Sequence, residues 1–225
     1  AEGYRLGYDH NVTVYDTDDC KSMIKSIVKE MQLDPKIYVA NYILNRISAA
    51  KSSLISDMEY AENPEIREAD VRSGKPLIAD IYKRYNQRLK SANAMDFDDL
   101  LYYMNVLLRD YPEVLYKYQQ RYRYILVDEY QDTNFAQYLI IKKLAAAYQN
   151  ICVVGDDAQS IYSFRGADIQ NILNFKHDYP TCNIIKLEQN YRSTQNIVNA
   201  ANAIIKNNKD QLYKEIWTEN GEGTK

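Results

Sequence analysis

Tyr124-Ile125-Leu126-Val127-Asp128-Glu129 is the stretch on which the reading of the fold turns. A short apolar run, β-branched at Ile125 and Val127, stops abruptly at two carboxylates. The same form returns at Ile151-Cys152-Val153-Val154-Gly155-Asp156-Asp157, and a third time at Asn183-Ile184-Ile185-Lys186-Leu187-Glu188. A helical stretch from Ala136 to Tyr148 separates the first two runs, and another helical stretch leads to the third. Short apolar runs alternating with helices predict an α/β fold whose parallel strands are buried on both faces. In such sheets ligands gather at the carboxyl ends of the strands. All three runs end there in acidic or polar clusters, so that edge is where chemistry is expected.

Upstream the chain reads as helices. Thr17 or Asp18 is placed to cap a segment in which Met23, Ile24, Ile27, Val28 and Met31 follow the helical period. Asp34-Pro35 reads as a cap followed by a first-turn proline, and Tyr38, Val39, Tyr42, Ile43 and Ile47 then form a stripe. The charge-dense stretch from Ser56 to Lys75 reads as a loop or loosely packed helix, and Ile78, Ile81, Tyr82, Tyr85 and Leu89 as another amphipathic helix. Residues 1–92 are therefore expected to form an all-helical module. Asp96-Phe97-Asp98-Asp99-Leu100-Leu101 opens a further helix with acids in its first turn, where the helix dipole favours them. Residues 195–208 form one more helix.

Composition bounds the function. Of the 225 residues 46% are hydrophobic and 26% charged, a globular balance that excludes wholesale disorder. No apolar run approaches the roughly 20 residues of a membrane span, and Ala1-Glu2-Gly3-Tyr4-Arg5 opens no signal-peptide core. Cys20, Cys152 and Cys182 are far apart and accompany only His10 and His177, which leaves no structural zinc site. A reduced, soluble, cytoplasmic chain is expected. The 22 tyrosines suggest base stacking, but most recur at helical spacing among Leu and Ile, which favours core-edge packing. Only 7 glycines imply a chain made mostly of regular elements. A net charge of -3 argues against binding nucleic acid by phosphate neutralisation alone, though not against stacking in a local groove.

Asp128-Glu129 at a strand end suits a Walker B arrangement, in which one acid holds the hydrated Mg²⁺ and the next polarises an attacking water. Alone, such a pair is often just a solvated strand exit; the continuation Tyr130-Gln131-Asp132 sharpens it. At the second strand end Gln159 is a γ-phosphate-sensing candidate, followed by Tyr162, Phe164 and Arg165. Those aromatics suit either core packing or stacking on successive bases, with the guanidinium on a phosphate. At the third end Arg192 reads either as a surface residue beside a helix cap or as a clamp on a transferring phosphoryl group.

Val127-Asp128-Glu129-Tyr130-Gln131-Asp132-Thr133-Asn134, the run from Val153 to Ala167, and Leu187-Glu188-Gln189-Asn190-Tyr191-Arg192-Ser193-Thr194 resemble motifs II, III and IV of the UvrD/PcrA/Rep family of superfamily 1 DNA helicases. Asp96–Leu101 also fits that family, and the resemblance is strong over 95–217. It implies a helical module of 1B type over 1–92, the later part of a RecA-like P-loop NTPase motor domain (1A) over 93–190, and the start of domain 2A over 191–225. It implies ATP and Mg²⁺ as cofactors, with Asp128 on the metal, Glu129 as catalytic base, Gln159 at the γ-phosphate, Tyr191 on adenine and Arg192 as arginine finger. Tyr162, Phe164 and Arg165 would face single-stranded DNA. The implied activity is 3′-to-5′ translocation and unwinding of partially duplex DNA in repair or replication. Ala158 departs from the family's third Asp, Ser163-Phe164 from the commoner Gly-Trp, and Tyr130 from the usual Phe.

One part is absent. A phosphate-cradling G-x-x-x-x-G-K-[ST] loop needs two glycines five apart, and glycines 3, 7, 74, 155, 166, 221 and 223 contain no such pair. Gly74-Lys75 is a decoy, followed by Pro76. The chain is therefore expected to be an internal fragment, inactive by itself, of an ATP-dependent DNA helicase. Two other classes stand beside this reading: a non-catalytic module binding single-stranded DNA or a protein, and part of a helicase–nuclease subunit.

Overall fold

The structure, a computed structural model, describes residues 2–163, 166–208 and 213–224. Contacts divide the chain into two compact units, Ala1–Leu126 with Asn134–Cys152, and Val127–Thr133 with Val153–Lys225. Neither 92/93 nor 190/191, the boundaries expected from the sequence, coincides with that division.

After a 3-10 turn at Gly3–Leu6, the first unit carries strand β1 (Thr13–Tyr15) and helices α1 (Thr17–Glu30) and α2 (Ala40–Ser52). Helices α3 (Asp57–Glu62), α4 (Pro64–Arg72) and α5 (Ile78–Ser91) follow, then strand β2 (Ala94–Asp96), α6 (Phe97–Asp110) and α7 (Pro112–Arg121). Strand β3 (Ile125–Val127), α8 (Phe135–Ala145) and strand β4 (Ile151–Val153) follow in sequence, the last residue of each strand falling in the second unit. The core is the apolar face that the helical period marks: Ile24 and Ile27 from α1, Ile43 and Ile47 from α2, and Ile78, Ile81 and Tyr85 from α5 are all at 0% exposure. Each such side chain contributes about 1.5–3 kcal/mol by leaving water. Most of the expected stripe residues are buried, but Val39, which precedes α2 as its N-cap residue, and Tyr42, within it, are exposed.

Three local expectations are corrected and one is narrowed. The cap of α1 is Asp16, not Thr17 or Asp18: its carboxylate accepts from the N–H groups of Asp18 (2.8 Å) and Asp19 (2.9 Å), and Asp19 returns a bond to its N–H, a reciprocal box open to an Asp-x-x-Asp sequence. Asp34 holds a single turn, accepting from the N–H groups of Ile37 (3.1 Å) and Tyr38 (2.9 Å), rather than starting the helix. Of the loop or loosely packed helix expected over 56–75 the structure shows the helical form, two short helices, α3 and α4, capped by Ser56 and Asn63. Tyr60 anchors them at 2% exposure, donating to Asp70 at 2.8 Å. Residues 1–92 are not all helical either, since β1 lies parallel to β2 with Thr13 opposite Ala94 and Tyr15 opposite Asp96. Three residues are too few to show a strand period.

At the end of β2 a buried ion cluster ties α2 to α6. Lys51, 1% exposed, bonds Asp96 and Asp99 at 2.7 Å each, and the Tyr85 hydroxyl donates to Asp96 at 2.8 Å. Asp96 also caps α6 by accepting from the Asp99 N–H at 2.7 Å, as the acids at the helix start implied. Removing one partner from such a cluster leaves an uncompensated buried charge.

The second unit holds α9 (Gln170–Leu173), α10 (Phe175–Asp178) and α11 (Gln195–Ile205). The expected third strand, 183–188, is not formed. An extended segment needs a neighbour for its N–H and C=O groups, and among the described residues the only bridge there is the parallel one of Gln189 to Trp217. Ile185 and Leu187 are 80% and 78% exposed. Burial of β3 and β4 on both faces is likewise overturned, since Leu126 is 78% exposed and Cys152 is exposed. A sheet of two strands pairs and covers only part of their surface.

Burial, working against Lys51, pushes the Asp99 carboxyl up to about 6. The folded state therefore holds more protons than an unfolded Asp of pKa about 4, and this group removes stability as pH rises from about 4 to 6. Urea midpoints of Asp99→Asn and the unaltered chain should converge or cross over that window; parallel curves would contradict it.

Candidate functional site

The site is built where β3 and β4 end. Ile125 N–H donates to Asn150 O at 2.9 Å and Val154 N–H to Val127 O at 2.8 Å. The bonds advance in the same direction on both strands, which makes the pair parallel and brings both carboxyl ends to one edge.

Beyond Val127 the backbone reverses at Glu129, whose φ of 50° and ψ of 44° lie in the left-handed region. For a non-glycine residue this costs of the order of 1–3 kcal/mol and persists only where the surroundings hold it. What holds it is the turn after it. Tyr130 is 1% exposed, donates its N–H to Val154 O at 3.0 Å and meets Phe175 edge-to-face at 5.7 Å. Thr133 is held by Asn171, whose Nδ2 donates to Thr133 O at 2.9 Å and Oγ1 at 3.1 Å.

Gln131 joins the two strand ends. It is 1% exposed; its Nε2 donates to Glu129 Oε2 at 2.7 Å, and its Oε1 accepts from the Asp156 N–H at 3.1 Å. Asp156 Oδ2 in turn accepts from Gln159 Nε2 at 2.8 Å. Lys214 Nζ bonds Asp156 Oδ1, and Asp157 Oδ1 at 2.7 Å. Burial would raise the Asp156 carboxyl, but the bonds from Lys214 and Gln159 outweigh it and hold it below the ordinary carboxylate range. Lys214 is correspondingly raised: burial would lower it, and the two carboxylates prevail.

The structure thus brings Glu129 and Gln159 into one hydrogen-bonded array. Asp128 stands beside them, exposed, with Oδ1 accepting from the Glu129 N–H at 2.9 Å. Tyr191 and Arg192 lie on a separate loop, organised by Asn190 Oδ1, which accepts from the N–H groups of Arg192 (2.9 Å) and Ser193 (2.7 Å). Thr194 occupies the N-cap position of α11, but its side chain makes no capping bond. Tyr191 is 79% exposed and Arg192 exposed. Tyr162 is exposed on the loop after β4, and Phe164 and Arg165 lie outside the described residues. Sequence reasoning gave Gln131 no role and missed Lys214 altogether. The amide was visible among three acids, whereas a lone lysine beyond α11 carried no signal.

Glu129 presents an exposed carboxylate with one oxygen steadied by an amide, an arrangement chemically able to accept a proton. Among the described residues no group of three or more His, Cys, Asp or Glu is arranged to hold a metal. Asp128, exposed at the strand end, offers a hard carboxylate oxygen. That fits Mg²⁺, which is commonly held by one or two carboxylates, water and substrate phosphates rather than by a protein cage.

Residues 1–180 match the family model of the UvrD/REP helicase N-terminal domain, and residues 185–225 that of the UvrD-like helicase C-terminal domain. The chain is 48% identical over 223 residues to the ATP-dependent DNA helicase PcrA of Bacillus subtilis, covering 98% of this chain and 29% of that protein. The PcrA proteins of Staphylococcus aureus and Leuconostoc citreum are 45% and 43% identical, over 98% and 99% of this chain and 30% and 29% of their own. The chain thus spans under a third of the length of these curated relatives. No described helix is long and apolar enough to cross a membrane.

Gly155 leaves room for the bridging amide: a Cβ there would lie 2.5 Å from Gln131 Oε1 and 2.9 Å from Ile172 Cδ1. Gly155→Ala should therefore displace Gln131, cost about 1–3 kcal/mol in urea unfolding and speed exchange of the Asp156 amide proton. Unchanged exchange would contradict the crowding.

Proposed function

The chain belongs to the UvrD/REP helicase family, and on that premise we propose that the ends of β3 and β4 form the ATP-hydrolysis centre of a DNA helicase motor. The observation that carries this is the Gln131 bridge, which fixes the carboxylate of Glu129 relative to Asp156 and hence to Gln159. Glu129 takes the proton of the attacking water, and its Gln131-held oxygen keeps the carboxylate oriented towards that water. Gln159 reports the γ-phosphate, its amide already held by Asp156. Arg192 supplies the guanidinium that stabilises charge developing on the transferred group, and Tyr191 stacks on adenine. Asp128 would hold Mg²⁺, which when bound would supply positive charge to offset that of the phosphates.

Tyr162, with Phe164 and Arg165, contacts single-stranded DNA, so that nucleotide state at Gln159 reaches the DNA-facing loop three residues on. The substrates are single-stranded and partially duplex DNA, translocation runs 3′ to 5′, and the setting is repair or replication in the cytoplasm. In this reading residues 1–92 serve as the accessory 1B module, 93–190 belong to motor domain 1A and 191–225 to domain 2A. Hydrolysis also requires a phosphate-cradling loop, which none of the seven glycines here provides, so the proposal concerns the full-length protein.

Glu129→Gln in that protein should lower ATP turnover by about 10²–10⁴-fold while leaving ATP binding intact; normal turnover would remove Glu129 from its role. Tyr162→Ala should weaken single-strand affinity by about 1–3 kcal/mol with little effect on nucleotide binding. Equal DNA affinity in a fluorescence-anisotropy titration would take Tyr162 off the DNA path.

A further inference from the structure

Lys214 belongs to none of the motifs, yet its ammonium meets both acids at the end of β4. Its side chain is 19% exposed and that of Asp157 only 2%, so the lysine supplies the cation on which two partly desolvated carboxylates rely. The backbone that carries it is tied in the opposite direction. Glu215 N–H donates to Glu188 Oε1 at 3.1 Å, Trp217 N–H to Glu188 O at 2.9 Å, and Asn190 N–H to Trp217 O at 2.7 Å. Further on, Thr218 Oγ1 donates to Ser193 O at 3.1 Å and Asn220 Nδ2 to Tyr191 O at 3.2 Å. Residues 215–220 thus zip along 188–193, the segment that carries Tyr191 and Arg192. At the head of that zipper Lys214 grips Asp156, the residue that holds Gln159.

These bonds join two matched domains: Lys214 and Arg192 fall within the C-terminal model, and Asp156, Asp157 and Gln159 within the N-terminal one. We propose that Lys214 is a positioning residue for ATP hydrolysis, a clasp that sets the Gln159 amide through Asp156 and keeps the Arg192 loop in register with it. Its effect falls on turnover rather than on nucleotide binding, because the ammonium is committed to protein carboxylates. An ion pair serving only stability would also hold the segment, but its loss would not act selectively on kcat. The inference rests on the proposed ATPase reading of the site.

The test is steady-state ATP hydrolysis by the full-length protein, with and without single-stranded DNA, for Lys214→Met, Lys214→Arg and Asp157→Asn, with urea unfolding in parallel. Lys214→Met should lower DNA-stimulated kcat at least about tenfold with the KM for ATP within about threefold, a loss of orientation more than of binding. Lys214→Arg, which still bridges two carboxylates, should restore most of it. Asp157→Asn should also lower kcat, and combined with Lys214→Met should cost less than the two losses multiplied, as expected of residues acting through one contact. Should Lys214→Met fail to fold, Lys214→Gln takes its place with the same expected loss. Wild-type kcat in these variants, or a loss confined to KM, overturns the clasp. Glu129→Gln in the same assay separates the two claims: if it is inactive while Lys214→Met is normal, only the clasp fails; if it turns over normally, the ATPase reading itself fails.

Discussion

Everything at the functional edge depends on one buried amide. Gln131 donates to Glu129 with one end and accepts from the Asp156 N–H with the other, and at 1% exposure water cannot substitute for either partner. A primary amide is the side chain suited to this task, since it offers a donor and an acceptor a fixed distance apart. Its demands spread outward. The left-handed backbone at Glu129 turns the chain so that Gln131 points inward, Gly155 leaves the space a Cβ would take, and Tyr130 packs on Phe175 to hold the turn in place. Strained backbone, a required glycine and a buried polar bridge in a handful of residues are what a site organised in advance of its ligand looks like.

Much of the fold was legible where a period was long enough to read. The five apolar positions of α5 all proved buried, because a helix of several turns repeats its pattern often enough to be recognised. The strands β3 and β4 also declared themselves, by apolar runs cut off at carboxylates. What stayed hidden was short or depended on partners. β1 is three residues whose pairing with β2 crosses most of the first unit. The stretch 56–75 looked loose because its helices are short and rest on caps and one buried tyrosine rather than on an apolar stripe. Residues 183–188 carry strand composition without a ladder, since β propensity expresses itself only against a neighbouring strand.

The site was legible in its residue types and less so in its connections. The carboxylates at two strand ends pointed to the edge where chemistry is expected, and the structure joins Glu129 and Gln159 there. Which atoms connect them could not be read, because the bridge passes through a side chain–backbone bond from Gln131 to Asp156 that no spacing encodes. Lys214 was invisible for a related reason: it lies far along the chain from the acids it neutralises and inside no recognisable pattern. Charge pairs of high sequence separation are a property of the fold.

The central claim is that the Gln131 bridge prepares Glu129 for ATP hydrolysis. Its most direct test is ATP turnover by the full-length protein with Gln131→Met, which keeps the length of the side chain and deletes both hydrogen bonds. The expected result is a fall in kcat of at least about tenfold, with nucleotide affinity little changed and the protein still folded. Unaltered kcat in a folded Gln131→Met protein would contradict it.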